Sequence, residues 1–274
     1  MSTVILCCNT LENELGRVLA ESGLDYPVIW LEAGLHNQPV RLRERIAEIL
    51  MEPGDSISQS GINASGSQFI AQGADLTAAE TTAINTRPQP GCGAESRMAF
   101  KPDRVLMALG YCGGAVSRLG PFDFEMIMPR ADDCLSILMG SMELRRLASG
   151  RSATYFLTEG WLRHTENLIT SFTHDQEHFG RERAERIYKI MLKHYRRFGF
   201  IDTTSYNVET AMEQTRPLAD LIGIKNERLP GSLKWLRKLV TGPWDEEDFV
   251  IIPSGRVLSD DDWGWLAGTV LQNI

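Results

Sequence analysis

V-I-L-C-C-N-T-L-E-N-E-L, residues 4–15, decides the fold. Its first half is an apolar run without polar alternation. Its second half shifts to helical spacing, with Leu11, Leu15, Val18 and Leu19 as the apolar positions and Gly23 as the stop. A run this short and this uniformly apolar reads as a parallel strand buried on both faces. Asn9 or Thr10 is placed to cap the helix that follows. The same stretch puts two of the chain's five cysteines, Cys7 and Cys8, where the strand runs out.

Outward from that unit the alternation of strand and helix continues. P-V-I-W-L (27–31) is a second strand, and a helix over 40–51 has Leu42, Ile46, Ile49 and Leu50 as its buried stripe. R-V-L-M-A-L (104–109) ends in the glycine turn around Cys112. F-E-M-I-M-P (124–129) leads into a helix that starts near Cys134. The second half repeats the rhythm, with strands at 153–158, 198–203 and 249–253. Helices are predicted from Trp161, over 181–197, over 207–222 with a kink or break at Pro217, and over 232–240. Seven strands alternating with helices predict an α/β fold: parallel sheets with helices on both faces, in two Rossmann-like lobes with a cleft between them. The N-terminal lobe is expected over 1–150 and the C-terminal lobe over 151–274, with one continuous sheet as the alternative. Residues 53–101 are rich in Gly, Ser, Thr, Ala and Gln and read as an insertion, with a short helix around 77–83 and Cys92 in a P-G-C-G turn.

The formal net charge of −8 argues against a sequence-independent grip on nucleic acid, which needs clustered Lys and Arg. The basic stretch Arg181–Arg197 carries Glu182 and Glu185 among apolar residues, as a solvated amphipathic helix does. No run approaches the roughly 20 apolar residues of a membrane span. The N-terminus has no charged and then apolar export pattern, so a cytoplasmic location is expected. In a reducing compartment, cysteines at strand ends read as metal-binding or catalytic before they read as disulfides.

Ligands of open parallel sheets bind outside the carboxyl ends of the strands. Cys7 or Cys8, His36, Cys112 and Cys134 all fall there. Only one of the adjacent pair can face a given side. Three thiolates and an imidazole suit Zn²⁺, and with an open position they suit an iron–sulfur cluster equally. The bland reading is that each cysteine is a small buried hydrophobe and that His36 caps a backbone. Glu32, Asp132, Asp133, Glu159 and Asp202 lie near strand ends, where each is either a helix cap or a general base or partner for His36. Trp161, beside Arg163 and His164, lines a pocket or fills the core. H-D-Q-E-H (174–178) matches the H-x-x-E-H arrangement of some zinc peptidases, but its polar setting before Gly180 reads as solvated. No nucleophile elbow or dinucleotide fingerprint is present.

The chain resembles an uncharacterised prokaryotic domain-of-unknown-function family. Members of that family read I-A-C-x-x-L-x-x-E-I, L-x-A-x-L-H-N-x-P, D-C-G, H-C-Y-E-F-x-x-G and G-T-F-Y-L-T ahead of an R-H pair. The counterparts here are I-L-C-C-N-T-L-E-N-E-L, L-E-A-G-L-H-N-Q-P, Y-C-G-G, D-D-C-L-S-I-L-M-G and A-T-Y-F-L-T-E-G-W-L-R-H. These motifs lie between residues 3 and 165, and the insertion has no counterpart. The resemblance puts Cys7 in the motif position, with His36, Cys112 and Cys134 as further metal ligands. It adds His164 as a fifth polar member. Asp133 stands where the family pattern has His. Such families look like companions of corrinoid-dependent methyl-transfer systems.

Together these readings lead to an expected metal-dependent enzyme of small-molecule metabolism, with zinc on thiolates and methyl or other one-carbon transfer to a thiol as its chemistry. Glu32, Asp133 and His164 are its candidate catalytic residues. The alternatives are an iron–sulfur lyase or redox enzyme, and a non-catalytic accessory protein that binds a corrinoid or a metal. A small-molecule substrate and a corrinoid protein are the expected partners, with no nucleic acid and no membrane.

Overall fold

The structure, a computed structural model, describes residues 2–51, 101–164 and 167–264. The insertion's short helix around 77–83 and Cys92 lie outside these residues. In chain order the elements are β1 (Thr3–Cys8), α1 (Glu12–Ser22), β2 (Val28–Leu31), α2 (Pro39–Leu50), β3 (Arg104–Ala108), β4 (Glu125–Pro129), α3 (Cys134–Met139) and α4 (Met142–Arg151). There follow β5 (Thr154–Leu157), α5 (Glu159–Leu162), α6 (Leu168–Phe179), α7 (Arg181–Met191), β6 (Arg197–Asp202), α8 (Val208–Ile222), β7 (Lys225–Pro230), α9 (Lys234–Thr241) and β8 (Phe249–Ile252). Among the described residues no helix is long and apolar enough to cross a membrane.

The strands form two sheets, as the apolar runs imply for an α/β chain. One has the order β2-β1-β3-β4-β8 and the other β5-β6-β7. All neighbours are parallel except β4 and β8. β1 lies inside the larger sheet, between the edge strand β2 and the central strand β3, with Cys7 in register with Trp30 on one side and Ala108 on the other. Its side chains divide by parity. Ile5 and Cys7 go to the core shared with Leu15 and Val18 of α1 and with Leu236 and Leu239 of α9. Leu6 goes to the core shared with Leu42, Ile46 and Ile49 of α2. Each fully buried aliphatic side chain contributes roughly 2 kcal/mol by removing apolar surface from water, which holds the helices to both faces.

Four local expectations differ. β8 does not extend the second half's sheet but returns to the first, pairing antiparallel with β4, so that Ile127 faces Ile251. β7, K-N-E-R-L-P, is an eighth strand and carries only one buried residue, Leu229. α7 ends at Met191, because Leu192 turns inward and Tyr195 packs edge-on against Tyr155 at 5.1 Å on the way to β6. Pro217 does not break α8. In the turn before it, the Met212 carbonyl accepts from the Thr215 hydroxyl at 3.0 Å and from Asn226 Nδ2 at 2.7 Å. β5, β6 and β7 make up the smaller sheet, and β8 lies in the larger one.

Candidate functional site

In the strand order β2-β1-β3-β4 the chain reverses direction of growth between β1 and β3. Outside the carboxyl ends of two such strands the connections diverge and leave a crevice, which is where doubly wound sheets hold ligands. Cys8 is the last residue of β1, and Cys112 lies in the turn after β3. Cys134 opens α3 after β4, and His36 sits in a 3₁₀ turn, Leu35–Asn37, after β2. Cys8, Cys112, Cys134, His36 and Glu32 line one cavity of about 20 Å³, closed by Leu31, Leu35, Leu42 and Leu109. That volume holds a single water or ion.

Backbone geometry brings the sulfurs together. A Cβ on Gly110 would stand 2.6 Å from the backbone of Asp133, so only glycine lets the turn after β3 lie against the turn after β4. The contact is sealed by the Tyr111 N–H on the Ala131 carbonyl and the Cys112 N–H on the Asp132 carbonyl, each 2.8 Å. Cys112 has φ of 47°, followed by Gly113 at 65°. A cysteine held in the left-handed region costs on the order of 1–3 kcal/mol, strain that the surrounding contacts must offset. Thr10 joins the other two sulfurs. Its hydroxyl donates to Cys8 Sγ at 3.1 Å and lies 3.9 Å from Cys134 Sγ. It therefore caps nothing: α1 begins at Glu12, and its N-cap residue, Leu11, supplies no side-chain cap.

The position assigned to Cys7 passes to Cys8. Cys7 is completely buried in the α1 core and does not line the cavity, because its odd parity turns it to the opposite face of β1. His36 does line the cavity and packs against Trp161 of α5, with ring centroids 4.7 Å apart. Glu32 is at the cavity and also takes the Arg45 guanidinium at 3.1 Å. Asp133 caps α3 through the Ser136 N–H at 2.9 Å and pairs with Arg145 at 2.8 Å. His164 does not line the cavity; the charges around it belong to Arg163, Glu12 and Glu159. Glu159, Asp132 and Asp202 are held in ion pairs with Arg163, Arg145 and Arg228. H-D-Q-E-H lies on α6, at its C-terminal end, with the rings of His174 and His178 parallel and 6.0 Å apart. His174 is 75% exposed, so the pair is solvated as expected but helical.

Electrostatics around the thiols favour their neutral forms. Burial pushes the Cys112 thiol up to about 12, helped by the nearby Cys8 and Asp133. Burial also raises Cys134, strongly, and Cys8. At Cys8 alone, among these three, the two largest opposing effects are donors: the Thr10 hydroxyl and the Thr10 N–H both favour the thiolate. Burial holds His36 below the usual imidazole range, as an uncharged donor. Among the described residues, no three His, Cys, Asp or Glu side chains form a ready-made metal centre. The thiols would have to turn inward on a shared ion. Parity within the apolar run and the dual reach of Thr10 carry no sequence signal of their own. Trp161 has one only in its place after a strand.

A family model described as Protein of unknown function (DUF1638) matches residues 95–240, more than half of the chain. The matched segment includes Cys112, Cys134 and Trp161; Cys8 and His36 precede it. No curated protein and no solved structure matches.

Proposed function

The chain belongs to the family described as Protein of unknown function (DUF1638), and from that footing we propose that it is a metal-dependent enzyme acting on a small molecule. Cys8, Cys112 and Cys134 are its thiolate ligands, and His36 is a fourth, exchangeable donor. The observation that carries this reading is the convergence of three sulfurs and one imidazole on a single cavity at the β1/β3 switch point. Soft thiolates with an imidazole select zinc over harder cations. Zinc in such a setting keeps a bound thiol ionised at neutral pH.

About 20 Å³ holds the ion alone, so an incoming thiol would reach it by taking the place of the exchangeable His36. Methyl or other one-carbon transfer to that thiol is the reaction in keeping with the corrinoid-dependent company that the motif resemblance implies. Glu32 lines the cavity, which supports it as the carboxylate that would receive the proton of an incoming thiol. Asp133 and Arg145 hold the Cys134 end of the site in place.

Elemental analysis of anaerobically purified protein tests the reading. Colourless protein with one equivalent of zinc, lost in a Cys112→Ser variant, is the expected result. Brown protein that bleaches in air would replace zinc with an iron–sulfur cluster on the same sulfurs. Folded protein that takes up neither metal would overturn the proposal. Tight cobalamin binding without turnover of any small thiol would point instead to an accessory role.

A further inference from the structure

The thiol cavity is built on the first sheet, yet two of its donor groups are reached from the second. α5 follows β5 of the smaller sheet, and its N-terminus is fixed by the buried Thr158, whose hydroxyl accepts from the Trp161 N–H at 3.3 Å. Its second residue, Gly160, is pressed against the turn after β1. A Cβ there would fall 2.1 Å from the carbonyl oxygen of Thr10, the residue whose hydroxyl touches the sulfurs of Cys8 and Cys134. The next residue, Trp161, packs on His36 across the crevice at 4.7 Å, with the rings tilted by 56°. Polar contacts flank this contact. Glu159 accepts from Asn13 Nδ2, and Arg163 pairs with Glu12 at 2.7 Å.

We infer that Trp161 is a positioning residue that fixes the His36 imidazole at the mouth of the cavity, and that Gly160 exists to let it approach. His36 sits in a 3₁₀ turn preceded by Gly34 in the left-handed region, with no side-chain cap of its own. Among the described residues, the Trp161 indole is the one aromatic ring packed against it. Trp161 Nε1 is buried and has no hydrogen-bond partner among the described residues. An unpaired buried N–H opposes folding, so the indole keeps this place at a cost that its packing offsets. A tryptophan serving the core alone would be expected to bring its N–H to an acceptor.

The metal arm of the test rests on the zinc-thiolate reading, and the second arm does not. Co²⁺ is titrated into wild type, Trp161→Ala, Trp161→Phe, His36→Ala and the Trp161→Ala/His36→Ala double variant, and the ligand-field and sulfur-to-cobalt bands are recorded. Trp161→Ala should weaken Co²⁺ binding about tenfold and shift the ligand-field bands as His36→Ala does. Trp161→Phe should restore most of both. The double variant should be no worse than His36→Ala, because residues that act through one another are not additive. Independent, additive losses, or wild-type binding by Trp161→Ala, would overturn the inference. In metal-free protein the carbon-bound imidazole protons of His36 are followed by NMR. A tryptophan ring at this distance displaces them, and Trp161→Ala should return them toward free-histidine positions. Should wild type take up no Co²⁺, the metal reading fails by itself, and unmoved His36 resonances would then sink the positioning role as well.

Discussion

Thr10 stands at the start of a helix that its hydroxyl leaves uncapped, because the hydroxyl points at sulfur. It marks which of two adjacent cysteines faces the crevice. Cys8→Ser should therefore abolish tight zinc binding with little change in stability, while Cys7→Ala should keep zinc and lower stability by about 1 kcal/mol from lost core packing. Zinc titration and urea melts on the two variants check this, and the reverse pattern would refute the assignment. Gly110→Ala tests the backbone contact that unites the two turns. Its Cβ would meet main-chain atoms of Asp133, which cannot swing aside, and a loss of about 3 kcal/mol is expected in the same melts. The residues of the site were legible as types and places, since cysteine after a strand is unusual. The choice between Cys7 and Cys8 was not. Every residue of Val4–Cys7 is fully buried, so the run lacks the alternation that would reveal parity.

At the scale of elements, strands that are apolar throughout announced themselves, and β7 did not. Leu229 is its one buried residue, and at the edge of the smaller sheet Lys225, Glu227 and Arg228 face solvent or charged partners. Charged edge strands resist pairing with other chains, and for the same reason they look like loops in a sequence. The late switch to the antiparallel β8 was equally hidden, because a strand's apolar pattern does not name its neighbour. α3, by contrast, has a visible start in A-D-D-C. Asp133→Ala removes its cap and leaves Arg145 with Asp132 alone. The variant should lose about 1–2 kcal/mol in thermal melts, and Asp133→Asn should recover the capping share of that loss. Equal stability of the alanine variant would show that the cap is idle.

For the whole molecule, the two sheets meet through α1, where the fully buried Glu14 accepts from the Thr203 hydroxyl at 2.9 Å beyond β6. Burial raises its carboxyl above the ordinary 4.5, with the Thr203 hydroxyl opposing. The folded protein therefore holds this proton more tightly than the unfolded chain does. Its contribution is fully present below the unfolded value and is lost as pH rises through the raised one. Urea melts at about pH 5 and about pH 8 should show wild type weaker at the higher value, and Glu14→Gln should flatten that difference. A slope unchanged in Glu14→Gln would assign it elsewhere. The neutral thiols and uncharged His36 give zinc uptake its own proton count. About three protons should be released per ion at neutral pH, measured by calorimetry in buffers of different ionisation enthalpy. The pairing of β8 with β4 has a further consequence during synthesis. A ribosome that has delivered every strand up to β7 still holds back the partner for one side of β4, so the larger sheet cannot close its border until residue 252 clears the exit tunnel. Until then the nascent protein exposes a row of unpaired amide groups on Glu125–Pro129, the kind of surface that holdase chaperones exist to shield.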